Sequence, residues 1–125
     1  MPLIAPANMP DVSPDGHSVV FARGAWTPCL PPLLCPTLSV SSAGLFTVPF
    51  KGKDGFGTPV EIVPAAGSNN YYPTYSPDGR FILFNRASGE SYNAPTARVM
   101  IVPATGGTPI DLASTNTTLG NSWPK

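Results

Sequence analysis

Seventeen prolines are spread through the 125 residues, at positions 2, 6, 10, 14, 28, 31, 32, 36, 49, 59, 64, 73, 77, 95, 103, 109 and 124. The longest run without one, residues 78–94, still carries Gly79 and Gly89. An interior proline costs a helix about 3 kcal/mol, because its ring clashes with the preceding turn and it has no N–H to donate. No substantial helix fits between these breakers, and the chain is expected to be all-β. With 12 glycines added, proline and glycine approach the level of roughly 25–30% at which disorder becomes the default. A hydrophobic content of 42%, rich in Val, Ile, Leu and Phe, argues against disorder.

The chain repeats itself. The run Met9-Pro10-Asp11-Val12-Ser13-Pro14-Asp15-Gly16 and the strand-like residues after it align without a gap on Tyr72-Pro73-Thr74-Tyr75-Ser76-Pro77-Asp78-Gly79, 63 residues downstream. Leu45-Phe46-Thr47-Val48-Pro49 then matches Val99-Met100-Ile101-Val102-Pro103, at an offset of 54. Gly57-Thr58-Pro59-Val60-Glu61-Ile62 matches Gly107-Thr108-Pro109-Ile110-Asp111-Leu112, at an offset of 50. The shrinking offset places insertions in the connecting loops of the first copy. Trp123-Pro124 matches Met9-Pro10 and Tyr72-Pro73 as the start of a third. The units are therefore residues 1–67, residues 68–120 and the stub 121–125.

Each repeat reads as four short strands. The first runs up to Ser-Pro-Asp-Gly. In that tetrapeptide (Ser13, Pro14, Asp15, Gly16 and Ser76, Pro77, Asp78, Gly79) proline presets φ at the second position of a type I turn, Asp occupies the third, and Gly accepts a positive φ at the fourth. The second strand, Ser18 to Ala22 or Phe81 to Asn85, is an apolar run suited to cover on both faces. The third is Leu45 to Val48 or Val99 to Val102, and the fourth is Pro59 to Val63 or Pro109 to Leu112. A four-stranded antiparallel unit recurring every 50–60 residues or so is the pattern of a β-propeller blade.

Tyr72-Pro73-Thr74-Tyr75-Ser76-Pro77-Asp78-Gly79-Arg80-Phe81-Ile82-Leu83-Phe84, completed by Val99 to Pro109, resembles the repeat of TolB-type β-propellers. The first copy departs from that pattern in carrying Val12 where the family places an aromatic, and in its long inner loop. The resemblance implies blade architecture over nearly the whole chain. It implies no particular chemistry, since such repeats serve envelope scaffolds, surface and secreted proteins, and the propeller domains of prolyl-oligopeptidase-like enzymes. Propellers close with about 4–8 blades, and two are present here. The expectation is a piece of a longer polypeptide, with a self-assembling subunit as the alternative.

Charge narrows the partners. Charged residues are 11% of the chain, against roughly 25% in an average domain, and seven basic residues balance seven acidic ones. Neither nucleic acid nor an anionic membrane is an expected partner. Met1-Pro2-Leu3-Ile4 has neither the basic start nor the apolar core of a signal peptide. The most apolar stretch, residues 29–35, is broken by Pro31 and Pro32 and is too short to span a bilayer.

No catalytic, cofactor or metal site is expected. Ser13 and Ser76 lie beside Asp15 and Asp78, but a serine duplicated in each turn serves the turn. A triad also needs a histidine base, and His17, the single histidine, aligns with Arg80 at a solvent-facing strand start. Cys29 and Cys35 have five residues between them, which does not fit a zinc knuckle. They form a candidate disulfide across the long loop, and with it an oxidising compartment. Loops carry function on such scaffolds. The insertions at 24–44, with Trp26, and 87–97, with Glu90, Tyr92 and Asn93, leave their repeats at the same topological point and form the candidate partner-binding face. Asn116-Thr117-Thr118 is a glycosylation triplet.

The sequence thus points to a non-catalytic scaffold that binds other protein chains, in the periplasm, at the cell surface or outside the cell. Its rivals are the gating propeller of a serine peptidase whose Gly-x-Ser-x-Gly domain lies elsewhere, and a carbohydrate- or ligand-binding propeller using Trp26, Tyr71 and Tyr72 as stacking platforms.

Overall fold

The computed structural model describes residues 7–26, 40–91 and 94–116, and in these the chain is all-β. Strands β1 (Ala7–Val12), β2 (Ser18–Trp26), β3 (Val40–Pro49) and β4 (Val60–Val63) make one antiparallel sheet in sequential order. Strands β5 (Asn69–Tyr75), β6 (Phe81–Ala87), β7 (Arg98–Pro103) and β8 (Ile110–Asp111) make a second sheet of the same order. A 3-10 turn at Gly52–Asp54 joins β3 to β4. Among the described residues, no helix is long and apolar enough to cross a membrane.

The hairpins of the first sheet reach further than the hydrophobic run implies. Strand β2 continues to Trp26 and β3 begins at Val40, with Ala25 paired to Ser41 and Trp26 to Val40 beyond a register shift. Gly24 makes that extension sterically feasible: a Cβ there would stand 2.6 Å from the Ser41 carbonyl oxygen and 2.7 Å from the Ala43 Cα. At the other extreme β8 shrinks to two residues. Its role is shared by Asn116, whose side-chain amide pairs with Val99 as a strand would, accepting from the Val99 N–H at 2.7 Å and donating to its carbonyl at 2.8 Å.

The two Ser-Pro-Asp-Gly turns are chemically identical. The Gly16 N–H donates to the Ser13 carbonyl at 2.8 Å, and the Gly79 N–H to that of Ser76 at 2.8 Å, with φ at +76° and +72°. The serine hydroxyl donates to the Asp two residues on (Ser13 to Asp15 and Ser76 to Asp78, both 2.6 Å). It also accepts the N–H that opens the next strand, Ser18 at 2.9 Å and Phe81 at 3.0 Å. The aspartate's second task is to accept the N–H of His17 or Arg80. These bonds to the ionised form hold the Asp15 and Asp78 carboxyls below the usual range, the serine hydroxyl being the largest cause in both.

A second duplicated feature is a kink. Met9 and Tyr72, each followed by proline, have φ of +52° and +50°. The β1–β2 register shifts between Asn8 and Asp11, and the β5–β6 register between Tyr71 and Thr74. Proline has no N–H for the ladder, so the strand bulges where Pro10 and Pro73 fall.

The sheets stack face to face, with β5 against β1, β2 and β3. Val20, Ala22, Ala43, Leu45 and Val63 of the first sheet meet Tyr71, Ile82, Phe84, Met100 and Val102 of the second in one buried cluster. Ile82 pairs with Val102 and Phe84 with Met100, so these four share a face. Each large side chain fully buried here contributes on the order of 1.5–3 kcal/mol. Polar clamps fix the stack. Asn69 accepts from the Ala43 N–H at 3.1 Å and donates to the carbonyls of Val40 (2.8 Å) and Gly89 (2.9 Å). Asn70 donates to the Ala43 carbonyl at 3.0 Å. On β1, the Asp11 carboxylate accepts from the Thr74 hydroxyl (3.1 Å) and the Tyr75 N–H (2.8 Å), fastening the two first strands to each other.

Candidate interaction surface

The face of the first sheet turned away from the second is apolar, and part of it borders a groove. Val19 pairs with Val48, and Phe21 with Phe46, so these side chains stand together on that face. The Phe21 and Phe46 rings stack at 5.9 Å, and the Arg23 guanidinium lies 4.8 Å from the Phe46 centroid. Beside them a groove of about 370 Å³ is lined by Pro10, Val19, Phe21, Val48, Phe56 and Pro59, with Asn8 and Ala7 at one end. Phe56 is 62% exposed at the rim and rests against Phe50 at 5.3 Å. Strand alternation explains the placement: β2 is apolar at successive positions, so Val20 and Ala22 enter the core while Val19 and Phe21 face outward.

Asn8 differs from the other groove residues. Its side-chain oxygen and nitrogen are sealed from solvent and have no hydrogen-bond partner among the described residues, as does Arg23 Nε. Buried polar atoms are almost always paired.

The sequence-predicted residues fall elsewhere. Ser13, Asp15, Ser76 and Asp78 are committed to the turns, each hydroxyl both donating and accepting within its own turn. His17 is exposed, as expected of a strand start. Trp26 closes β2 by pairing with Val40. Glu90 is exposed on the loop after β6, and that loop reaches the start of β3: the Ser91 N–H donates to the Val40 carbonyl and the Ser91 hydroxyl accepts from the Val40 N–H, both at 3.1 Å. The two insertions therefore meet at one end of the stack. Cys29, Cys35, Tyr92, Asn93 and the stub from Asn121 lie outside the described residues.

Two further candidates have definite places in the structure. Tyr71 is fully buried between the sheets and Tyr72 half-buried against it, their rings edge to face at 5.4 Å, so Tyr71 offers no platform to a ligand. The Asn116 amide, the acceptor of the glycosylation triplet, is taken up by the Val99 carbonyl at 2.8 Å and by Asp111 at 2.6 Å. A glycan on that nitrogen would displace these bonds.

The groove escaped sequence reasoning because Asn8, Pro10, Val19, Phe21 and Val48 all align with buried residues of the second repeat. The signal was present in Phe56 and Phe50, two aromatics flanking a Lys- and Gly-rich turn with no aromatic counterparts in the second copy. No family model matches the chain, and no curated protein matches its sequence.

Proposed function

We propose that the chain is a segment of a TolB-like β-propeller that works as a non-catalytic protein-binding scaffold, in the cell envelope or in an extracellular assembly. The observation that carries this reading is the relation between the sheets. Two sheets of one sequence repeat stack face to face, with their first strands side by side through Asp11, Thr74 and Tyr75. Neighbouring blades bear that relation in a propeller, where the first strands line the axis. The serines and aspartates that suggest a nucleophile are spent on turn bonds, and the open apolar groove and the joined insertion loops suit contacts with other protein.

The test is a photo-crosslinking amino acid at Glu90, in the protein expressed in its native host. A scaffold gives a discrete adduct with another polypeptide. Hydrolysis of proline-containing peptides by the purified chain, with no adduct at Glu90, would overturn the reading in favour of an enzyme.

A further inference from the structure

The groove is one half of an interface that the chain already makes once. Through the repeat offsets, Asn8, Pro10, Val19, Phe21 and Val48 correspond to Tyr71, Pro73, Ile82, Phe84 and Val102. In the second sheet every one of these counterparts is buried, with Tyr71, Ile82, Phe84 and Val102 in the cluster against the first sheet. Among the described residues no second sheet covers the groove, although Phe21 and Val48 beneath it are only 7% exposed.

The complementary half is also on the chain. The first sheet meets the second with Val20, Leu45 and Ile62. Their counterparts are Leu83, Val99 and Leu112, on the far side of the second sheet. Leu83 pairs with Ile101 and Ile101 with Ile110, so these three share the face opposite Ile82 and Phe84. That face carries these apolar side chains together with the buried Asn85, which pairs with Val99, and Ile110 is 64% exposed. At these positions head and tail of one molecule match as its own two sheets match, with Asn85 standing where the first sheet has Ala22.

The geometry points to a second copy of this chain as the occupant, its second sheet seated head to tail on the groove of the first. Such a contact is heterologous: repeated, it closes a ring or winds an open helix. The fit is not identical to the internal one. A Cβ added at Gly106 would stand 3.4–3.5 Å from Ile62, whereas Phe56 occupies the matching position in the groove, so the incoming Leu112 meets an aromatic ring instead of bare backbone.

The inference rests on the propeller reading and names the partner at its open face. Two exposed positions test it with little risk to folding: Phe56→Lys blocks the groove and Ile110→Asp blocks the opposite face. Sedimentation equilibrium of the full chain is expected to show concentration-dependent assembly above the 13.0 kDa monomer. Each variant alone is expected to remain monomeric. Mixed in equal amounts, they are expected to form a one-to-one dimer and nothing larger, because each retains the face the other lacks. A wild-type chain monomeric up to about 100 μM, a concentration well above the Kd of specific protein pairs, would overturn the second-copy inference and leave the stacking relation of the two sheets intact. Assembly that persists in both variants would overturn the inference and the propeller reading together, since the copies would then be joining through something other than equivalent sheet faces.

Discussion

Asn69 is the most consequential polar side chain in the stack, and its removal can be costed bond by bond. It is 2% exposed and makes three hydrogen bonds, to the Ala43 N–H and to the Val40 and Gly89 carbonyls. In Asn69→Ala the Val40 carbonyl keeps the Ser91 N–H as a donor, and Gly89, in an exposed loop, turns to water. The Ala43 N–H has no such recourse, because Ala43 is fully buried. One stranded buried donor costs about 1–3 kcal/mol, and the space left by the amide adds to this, for a total of about 2–4 kcal/mol. Against a whole-domain stability of about 5–15 kcal/mol, the urea midpoint falls clearly, with an unchanged slope if the transition stays two-state. Asn69→Asp separates the donor role from the acceptor role. Its carboxylate still accepts from Ala43 but turns an anion on two carbonyl oxygens, so its folded pKa is raised above the unfolded value of about 3.9. The resulting penalty is full at neutral pH and relieved, relative to wild type, as acid supplies the missing proton. A loss below about 0.5 kcal/mol in Asn69→Ala, the range of ordinary surface substitutions, would refute the claim that this side chain clamps the sheets. So would an Asn69→Asp variant whose deficit is the same at pH 7 and pH 4.5.

Gly24→Ala is expected to cost about 1–3 kcal/mol by overpacking, since its Cβ would lie within 2.7 Å of Ser41 and Ala43, while Gly89→Ala, with nothing within 4 Å, leaves the thermal midpoint unchanged. The depressed carboxyls of Asp15 and Asp78 contribute stability that is full above the unfolded pKa of about 3.9 and is lost as pH falls through their lower folded values. Urea midpoints between pH 5 and pH 2 should therefore fall less steeply in Asp78→Asn than in wild type. Asp11→Ala releases the Thr74 hydroxyl and the Tyr75 N–H and is expected to cost about 1–2 kcal/mol, with faster hydrogen exchange at the Tyr75 amide as its local signature.

What the sequence made legible was local. The all-β class follows from where proline cannot go, and the Ser-Pro-Asp-Gly turns follow from φ preferences and one hydroxyl's reach, none of which needs a partner distant in the chain. The kink before Pro10 and Pro73 was equally local and still missed: the residue ahead of proline is normally extended, yet Met9 and Tyr72 both sit at positive φ. Only the ladder on β2 and β6, which must pass a residue without an N–H, explains the bulge. The extra length of β2 and β3 depended on Gly24 lying against Ser41, a contact between segments on either side of a long insertion. Asn69 and Asn70 went unremarked because an Asn-Asn pair ordinarily signals a turn. They become structural only once the first sheet's carbonyls stand opposite.

Sequence equivalence and structural equivalence part company in a stacked repeat, and that divergence is informative. Phe21 and Phe84 are equivalent in the repeat and pair across their ladders with Phe46 and Met100, themselves at equivalent positions. Phe84 is in the inter-sheet cluster and Phe21 borders the groove. Where a repeat keeps an apolar residue at a position its own location leaves uncovered, intrinsic strand propensity is not a sufficient reason, since Thr or a charged residue would serve an exposed face as well. Val19 and the 62%-exposed Phe56 are apolar at the groove. Leu83, Ile101 and Ile110 stay apolar on the opposite face. Both sets sit at positions related by the offsets that build the interface within the chain, so they are the side chains that a further sheet stacked on either side would meet.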